Sequence, residues 1–148
     1  ACVMAADPGT GEMEILDYVV VHDCGRMVNP MIVEAQVVGG VAQGLGTALY
    51  EEIPYDNNGQ PLSSTFLDYM IPGCAEVPNV RVLHIETPSP HTKYGIKGLG
   101  EGGAISPPAA VVNALNDALK SLGADITQTP VTPLRVLEAI ESDAVSPL

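Results

Sequence analysis

Tryptophan is absent, phenylalanine occurs once, and basic residues number only six against eighteen acidic ones in 148 residues. The resulting formal charge of -12 repels phosphate backbones and anionic lipid, which argues against nucleic-acid and membrane partners. Cysteine is sparse as well. Cys2, Cys24 and Cys74 are odd in number and form no C-x-x-C pair. That count argues against a disulfide framework and against an iron–sulfur cluster or structural zinc held by this chain, and it fits a reducing compartment. No signal-peptide pattern is present. The longest apolar stretch, residues 31–50, is interrupted by Glu34, Gln36, Gln43 and the glycines at 39, 40, 44 and 46, so it does not suit a bilayer span. A cytoplasmic protein is expected.

What the chain has instead is small side chains. Apolar residues make up 46%, charged residues 16%, and there are 15 glycines and 13 prolines. This length supports one core that buries roughly two thirds of the unfolded surface. With no repeat, low-complexity tract or linker, residues 1–148 are expected to form one compact α+β unit. The opening ACVMAADPGTG has no initiator Met and reads as mid-strand, so a segment of a longer polypeptide is expected.

Residues 1–6 and 13–22 are strand candidates joined by Asp7-Pro8-Gly9-Thr10-Gly11, whose Pro and Gly suit a hairpin turn. Asn29-Pro30 then offers an N-cap followed by proline at the first helical position, where a missing N–H costs nothing. A helix over 30–51 is predicted, with Ile32, Val33, Val37, Val41, Leu45, Ala48 and Leu49 at helical spacing. Its glycines at 39, 40, 44 and 46 each cost about 1 kcal/mol against alanine. Close approach of another backbone or of a bulky ligand would explain them. Residues 80–87 read as a strand. Ser106-Pro107 starts a helix whose face is Val111, Val112, Leu115, Ala118, Leu119 and Leu122, ending near Gly123. A last helix runs from Pro133 to about Ser142, with Leu134, Leu137 and Ile140 inward.

Between the last strand and the second of these helices lies GIKGLGEGGAISPPAAVVNAL, residues 95–115, with Glu101 alone among glycines. The letters satisfy G-x-G-x-x-G, and Asp125 follows at a distance that suits a dinucleotide fold. Three features oppose that reading. Glu101 would face the pyrophosphate, Pro107 and Pro108 remove N–H donors from the helix start, and GIK is no buried strand. A bland alternative is an acid stabilised near a helix N-terminus by up to about 1 kcal/mol. Glycines, however, let a main chain pass close to a ligand and leave the carboxylate without large neighbours. An exposed carboxylate stays ionised at neutral pH and suits accepting a proton, which makes Glu101 a candidate general base. His22, His84 and His91 are scattered and show no metal-ligand spacing.

Four collinear runs, VVHDCGRMVNPMIVEAQVVGGVAQGLGTALYEE, FLDYMIP, ETPSPHTKYGIKGLGEGGAISPPAAVVNALNDAL and TPVTPLRVLEAI, span nearly the whole chain. They resemble the C-terminal part of the molybdopterin-binding large subunit of the xanthine oxidase family, and within it the large subunits of aerobic carbon monoxide dehydrogenases and their relatives. The resemblance implies the C-terminal molybdenum-cofactor-binding domain segment of a molybdenum hydroxylase, inactive when isolated. It implies that Glu101 is the active-site base beside molybdenum. The oxygen inserted would come from water, and two electrons would leave through [2Fe-2S] clusters and FAD on partner subunits or domains.

Gln36 occupies the place of a glutamine that binds the pterin in relatives. Gly39, Gly40, Lys97, Gly98 and Gly100 are further candidates for cofactor contact. The cofactor form implied is molybdopterin cytosine dinucleotide, with the metal held by pterin sulfurs and by no protein ligand. Implied partners are the rest of the molybdenum subunit, an iron–sulfur subunit, a FAD subunit and a small-molecule substrate, an N-heterocycle or aldehyde. The substrate-facing loops of that family have no counterpart in these residues. A different class of reading is a non-catalytic assembly segment whose glycine helix packs protein.

Overall fold

A computed structural model describes residues 1–144. Strand β1 (Cys2–Ala6) and strand β2 (Met13–His22) form the expected antiparallel hairpin. Its turn is closed from within. The Asp7 carboxylate accepts from the Gly9 N–H at 2.7 Å, and the Gly11 N–H donates to the Asp7 carbonyl at 2.8 Å. Gly11 has φ 74°, and a Cβ there would lie 2.2 Å from the carbonyl oxygen of Pro133. Glycine therefore serves both the left-handed turn and the close passage of the last helix.

Strand β3 (Val80–His84) lies parallel to β2 in the register Tyr18↔Val80 through His22↔His84, giving the sheet order β1-β2-β3. It stops short of the expected 80–87, because from Thr87 onward the chain turns to meet the end of β2 through side-chain bonds. Helix α1 (Pro30–Leu49) starts as expected, with the Asn29 carboxamide accepting from the Ile32 N–H at 3.3 Å. Helix α2 (Pro107–Leu119) ends in a 3-10 turn, Lys120–Leu122, and in Gly123 at φ 74°. Helix α3 is Pro133–Ala144.

Helix α2 packs on β1 and on α1, and α1 also meets β3, so two helices cover one face of the sheet. The core follows from the four-residue spacing of Val33, Val37, Val41 and Leu45 on α1, and of Val111, Leu115 and Leu119 on α2. All of these except Val33 meet Met4, Tyr18 and Val20 of the sheet. Full burial of a side chain such as Leu115 contributes roughly 2 kcal/mol.

Parts of the expected faces are wrong. Ala118 points to solvent, and Leu122 is largely exposed because the 3-10 turn rotates it off the α2 stripe. On α3 the fully buried residue is Val136, with Ala139 and Ile140 partly buried one turn on, while Leu134 is 64% exposed. Leu134 lies outside the stripe that starts at Val136. Two polar ties close the return to α3. Asn116 accepts from the Ile126 N–H at 2.8 Å and donates to the Ile126 carbonyl at 3.0 Å. The Val131 N–H donates to the Ala48 carbonyl at 2.7 Å. Among the described residues no helix is long and apolar enough to cross a membrane.

Candidate active site

The glycine loop is built from its attachments. At its entrance Gly25 and Gly95 both have left-handed φ, 66° and 72°, and the main chains cross so closely that a Cβ on Gly25 would sit 2.1 Å from the Gly95 carbonyl oxygen. The Arg26 N–H donates to that carbonyl at 3.3 Å, and the Lys97 N–H donates to the Cys24 carbonyl at 2.8 Å. Cys24 is buried at this crossing.

Side chains reinforce the crossing. Asp23 accepts from the N–H groups of Gly25 (2.8 Å) and Thr87 (3.3 Å), from the Thr87 hydroxyl, and from Lys97 Nζ at 2.9 Å. Hydrogen bonds from the Thr87 hydroxyl, then from Lys97 and from the Gly25 amide, hold its carboxyl well below the usual carboxylate range.

Further along, Gln36 reaches from α1 to the loop, its Nε2 donating to the Gly100 carbonyl at 2.7 Å. The loop then folds into two tight turns. The Gly102 N–H donates to the Leu99 carbonyl at 3.1 Å, and the Ala104 N–H donates to the Glu101 carbonyl at 2.9 Å. Beneath Gly102 lies the His22 ring, whose Nε2 would be 2.1 Å from any Cβ placed there. At the exit, Gly103 faces α1, where a Cβ on it would lie 2.2 Å from the Val37 carbonyl oxygen.

The helix glycines divide by what they meet. A Cβ on Gly40 would be 2.8 Å from Gly103 Cα, and one on Gly44 would be 2.8 Å from the Ala104 carbonyl and 2.6 Å from Pro107 Cγ. Backbone approach therefore accounts for both, and Gly40, expected to lie close to a cofactor, is buried under the loop instead. Gly46 makes room for the Glu51 carboxylate, which also accepts from the Tyr69 hydroxyl. Gly39 is different, because a Cβ there meets nothing within 4 Å. The same holds for Gly98 and Gly100.

Glu101 is exposed on this loop. Around it the main chain is bare at Gly98 and Gly100, so a large flat polar group could lie against it without meeting side chains. An apolar recess of about 330 Å³ adjoins the loop, lined by Cys24, Met27, Val28, Ile32, Ile96 and Leu99 among others. The G-x-G-x-x-G letters follow a 3-10 turn, Lys93–Gly95, and not a strand, which removes the geometry a dinucleotide fingerprint requires. No group of three or more His, Cys, Asp or Glu that could hold a metal occurs among the described residues.

Residues 1–78 match the model of the molybdopterin cofactor-binding domain family, a stretch that contains β1, β2, α1 and Gln36. The chain belongs to that family. It is 46% identical over 139 residues to the nicotine 6-hydroxylase large subunit of Paenarthrobacter nicotinovorans, covering 94% of this chain and 17% of that protein. Among solved structures it resembles quinoline 2-oxidoreductase from Pseudomonas putida 86 with TM-score 0.89 and 48% identity, over 92% of this chain and 17% of that one. It also resembles a Cu,Mo-CO dehydrogenase with TM-score 0.91 and 35% identity, over 97% and 18%. The chain thus spans about one sixth of the length of these relatives.

The sequence singled out Glu101, Gln36 and the loop glycines, and the fold brings Gln36, Gly100 and Glu101 together. It did not single out Thr87, or Lys97 as a partner of Asp23. Both are remote in sequence and become neighbours only through the parallel pairing of β2 with β3.

Proposed function

We propose that this chain forms one wall of the active site of a molybdenum hydroxylase, with Glu101 as its general base. The observation that carries this reading is an exposed carboxylate on a loop that is pinned on both sides while its main chain stays bare at Gly98 and Gly100. Such a loop holds a proton acceptor still while leaving room for a large group beside it. Gln36, Gly39, Gly98 and Gly100 would line a molybdopterin cofactor, taken as the cytosine dinucleotide form. Gln36 already orients Gly100 through its amide N–H, and its carbonyl oxygen is left to accept from the cofactor.

When bound, that cofactor supplies the two-electron oxidation of an N-heterocycle or aldehyde carbon. Glu101 takes up the proton released at the reacting centre. The recess beside the loop offers apolar surface next to the base. The assembly would include the remainder of the molybdenum subunit and subunits carrying [2Fe-2S] and FAD, working in the cytoplasm. Nicotine and quinoline in the names of two relatives favour the heterocycle class.

In the assembled enzyme Glu101→Gln is expected to keep molybdenum and pterin content while turnover falls about 100- to 10,000-fold, the loss typical of a missing acid–base group. Turnover equal to wild type would remove the role. A second reading, a non-catalytic assembly segment, is favoured by Gly40 and Gly44, which pack protein and not ligand. Gln36→Ala separates the two readings. Loss of pterin on purification supports the cofactor site, whereas unchanged pterin with weakened subunit association supports the assembly segment.

A further inference from the structure

We propose that Asp23, Thr87 and Lys97 form a polar clasp that sets where the glycine loop holds Glu101, which makes Lys97 a positioning residue and not a ligand of the cofactor. The inference rests on the reading of Glu101 as the base and extends it to the residues that hold the base in place.

The three residues come from three places in the chain: the end of β2, the segment after β3, and the entrance of the loop. The in-register pairing of His22 with His84 brings the first two together, and the Thr87 N–H donates to Asp23 at 3.3 Å. Lys97 then closes the ring. Its Nζ donates to Asp23 Oδ2 at 2.9 Å and to Thr87 Oγ1 at 2.6 Å, so each member touches the other two. The Asp23 and Lys97 side chains are 27% and 37% exposed, so the ring acts through its geometry, three groups each bonded to the other two, more than through the strength of the ion pair. Two of the three ammonium donors of Lys97 are committed to the ring.

Residues 95–97 are tied to the 23–26 turn by two main-chain bonds, from the Arg26 N–H to the Gly95 carbonyl and from the Lys97 N–H to the Cys24 carbonyl. The side-chain ring adds a third point of attachment at the loop entrance. Four residues beyond Lys97 stands Glu101, with Gly100 held by Gln36 in between. A shift at the entrance therefore reaches the carboxylate. Misplacement of a reacting group by about 1 Å can cost on the order of 100-fold in rate.

The test uses the assembled enzyme carrying Lys97→Met, Lys97→Arg, Asp23→Asn and the double variant. Lys97→Met is expected to keep its molybdenum and pterin while kcat falls about 10- to 100-fold with KM little changed. Arginine should restore part of the lost kcat. The double variant should be no slower than either single one, because the ring is already open. Deuterium uptake at the amides of residues 95–104 should quicken in Lys97→Met and in Asp23→Asn.

Pterin loss in Lys97→Met would make the lysine a ligand and overturn the proposal. So would unchanged kcat with unchanged uptake, or losses that add in the double variant. Should Lys97→Met fail to assemble, Thr87→Val opens the ring while leaving the ion pair and is judged by the same readouts. The two readings fail separately. Full turnover in Glu101→Gln would overturn the base alone, and faster uptake in Lys97→Met would still show the clasp.

Discussion

Two irregular segments, residues 53–72 and residues 95–106, solve the same problem in opposite ways. Both leave regular structure and both expose apolar side chains. The first is held mostly by bonds to its own neighbours. The Asp56 carboxylate accepts from the Asn58 and Gln60 N–H groups at 2.8 and 2.9 Å, and the Thr65 hydroxyl donates to Asp68 at 2.9 Å. Its few longer ties, Ser63 to the Glu52 carbonyl and Tyr69 to Glu51, reach only the end of α1. Phe66 and Leu67 are left 85% and 94% exposed. The second segment is held by residues 23–26, 36 and 37, far away in sequence, and by Thr87 on the strand side. Local bonds fix the shape of a turn, and distant ones fix its place relative to the rest of the molecule. A site that needs a carboxylate at a defined position requires the second kind.

The contrast can be broken most forcefully at the loop exit. Gly103→Ala places a Cβ 2.2 Å from the Val37 carbonyl, so helix and loop have to separate. Overpacking of this kind is expected to cost about 3 kcal/mol, read as a lower midpoint in urea unfolding of the subunit. An unchanged midpoint would mean that the loop does not rest on α1 as described.

Acid offers a gentler probe. The Asp23 carboxyl titrates below its ordinary value, so its contribution is fully present above the unfolded pKa of about 3.9 and is lost as pH falls through the lower folded value. Wild type should therefore exceed Asp23→Asn in stability by a constant margin from neutral pH to about pH 5, and the margin should shrink below about pH 4. A margin that stays flat into strong acid would show that Asp23 is not held as a carboxylate.

The smallest effect belongs to the other segment. Phe66→Ser, at a side chain that packs on little here, is expected to change the stability of this fold by less than about 0.5 kcal/mol. A clearly larger loss in the assembled enzyme would show that another part of the subunit covers Phe66.

Much of this architecture was legible in the residues. The hairpin turn, the Asn29-Pro30 helix start, the four-residue apolar spacing of α1 and α2, and the stop at Gly123 all depend on interactions within a few residues, and all stand where expected. On α3 the expected face holds at Ile140, which packs on the core, and fails at Leu134, because the fully buried position is Val136 and the packing is chosen by the groove the helix meets. The α1 glycines were read correctly as sites of close approach, but the sequence could not say to what. At Gly40 and Gly44 the neighbour is the protein's own loop, and at Gly39 the surface is open.

The sequence by itself determined the elements, the lone acid on a glycine loop and the family to which these runs belong, because periodicity, caps and motifs act over short stretches of chain. Only the tertiary structure decided which residues hold that acid. Gln36 lies 64 residues from Gly100, and Lys97 lies 74 residues from Asp23. Those pairs meet because β3 docks parallel to β2 and α1 lies under the loop, and no local preference of the chain encodes either arrangement.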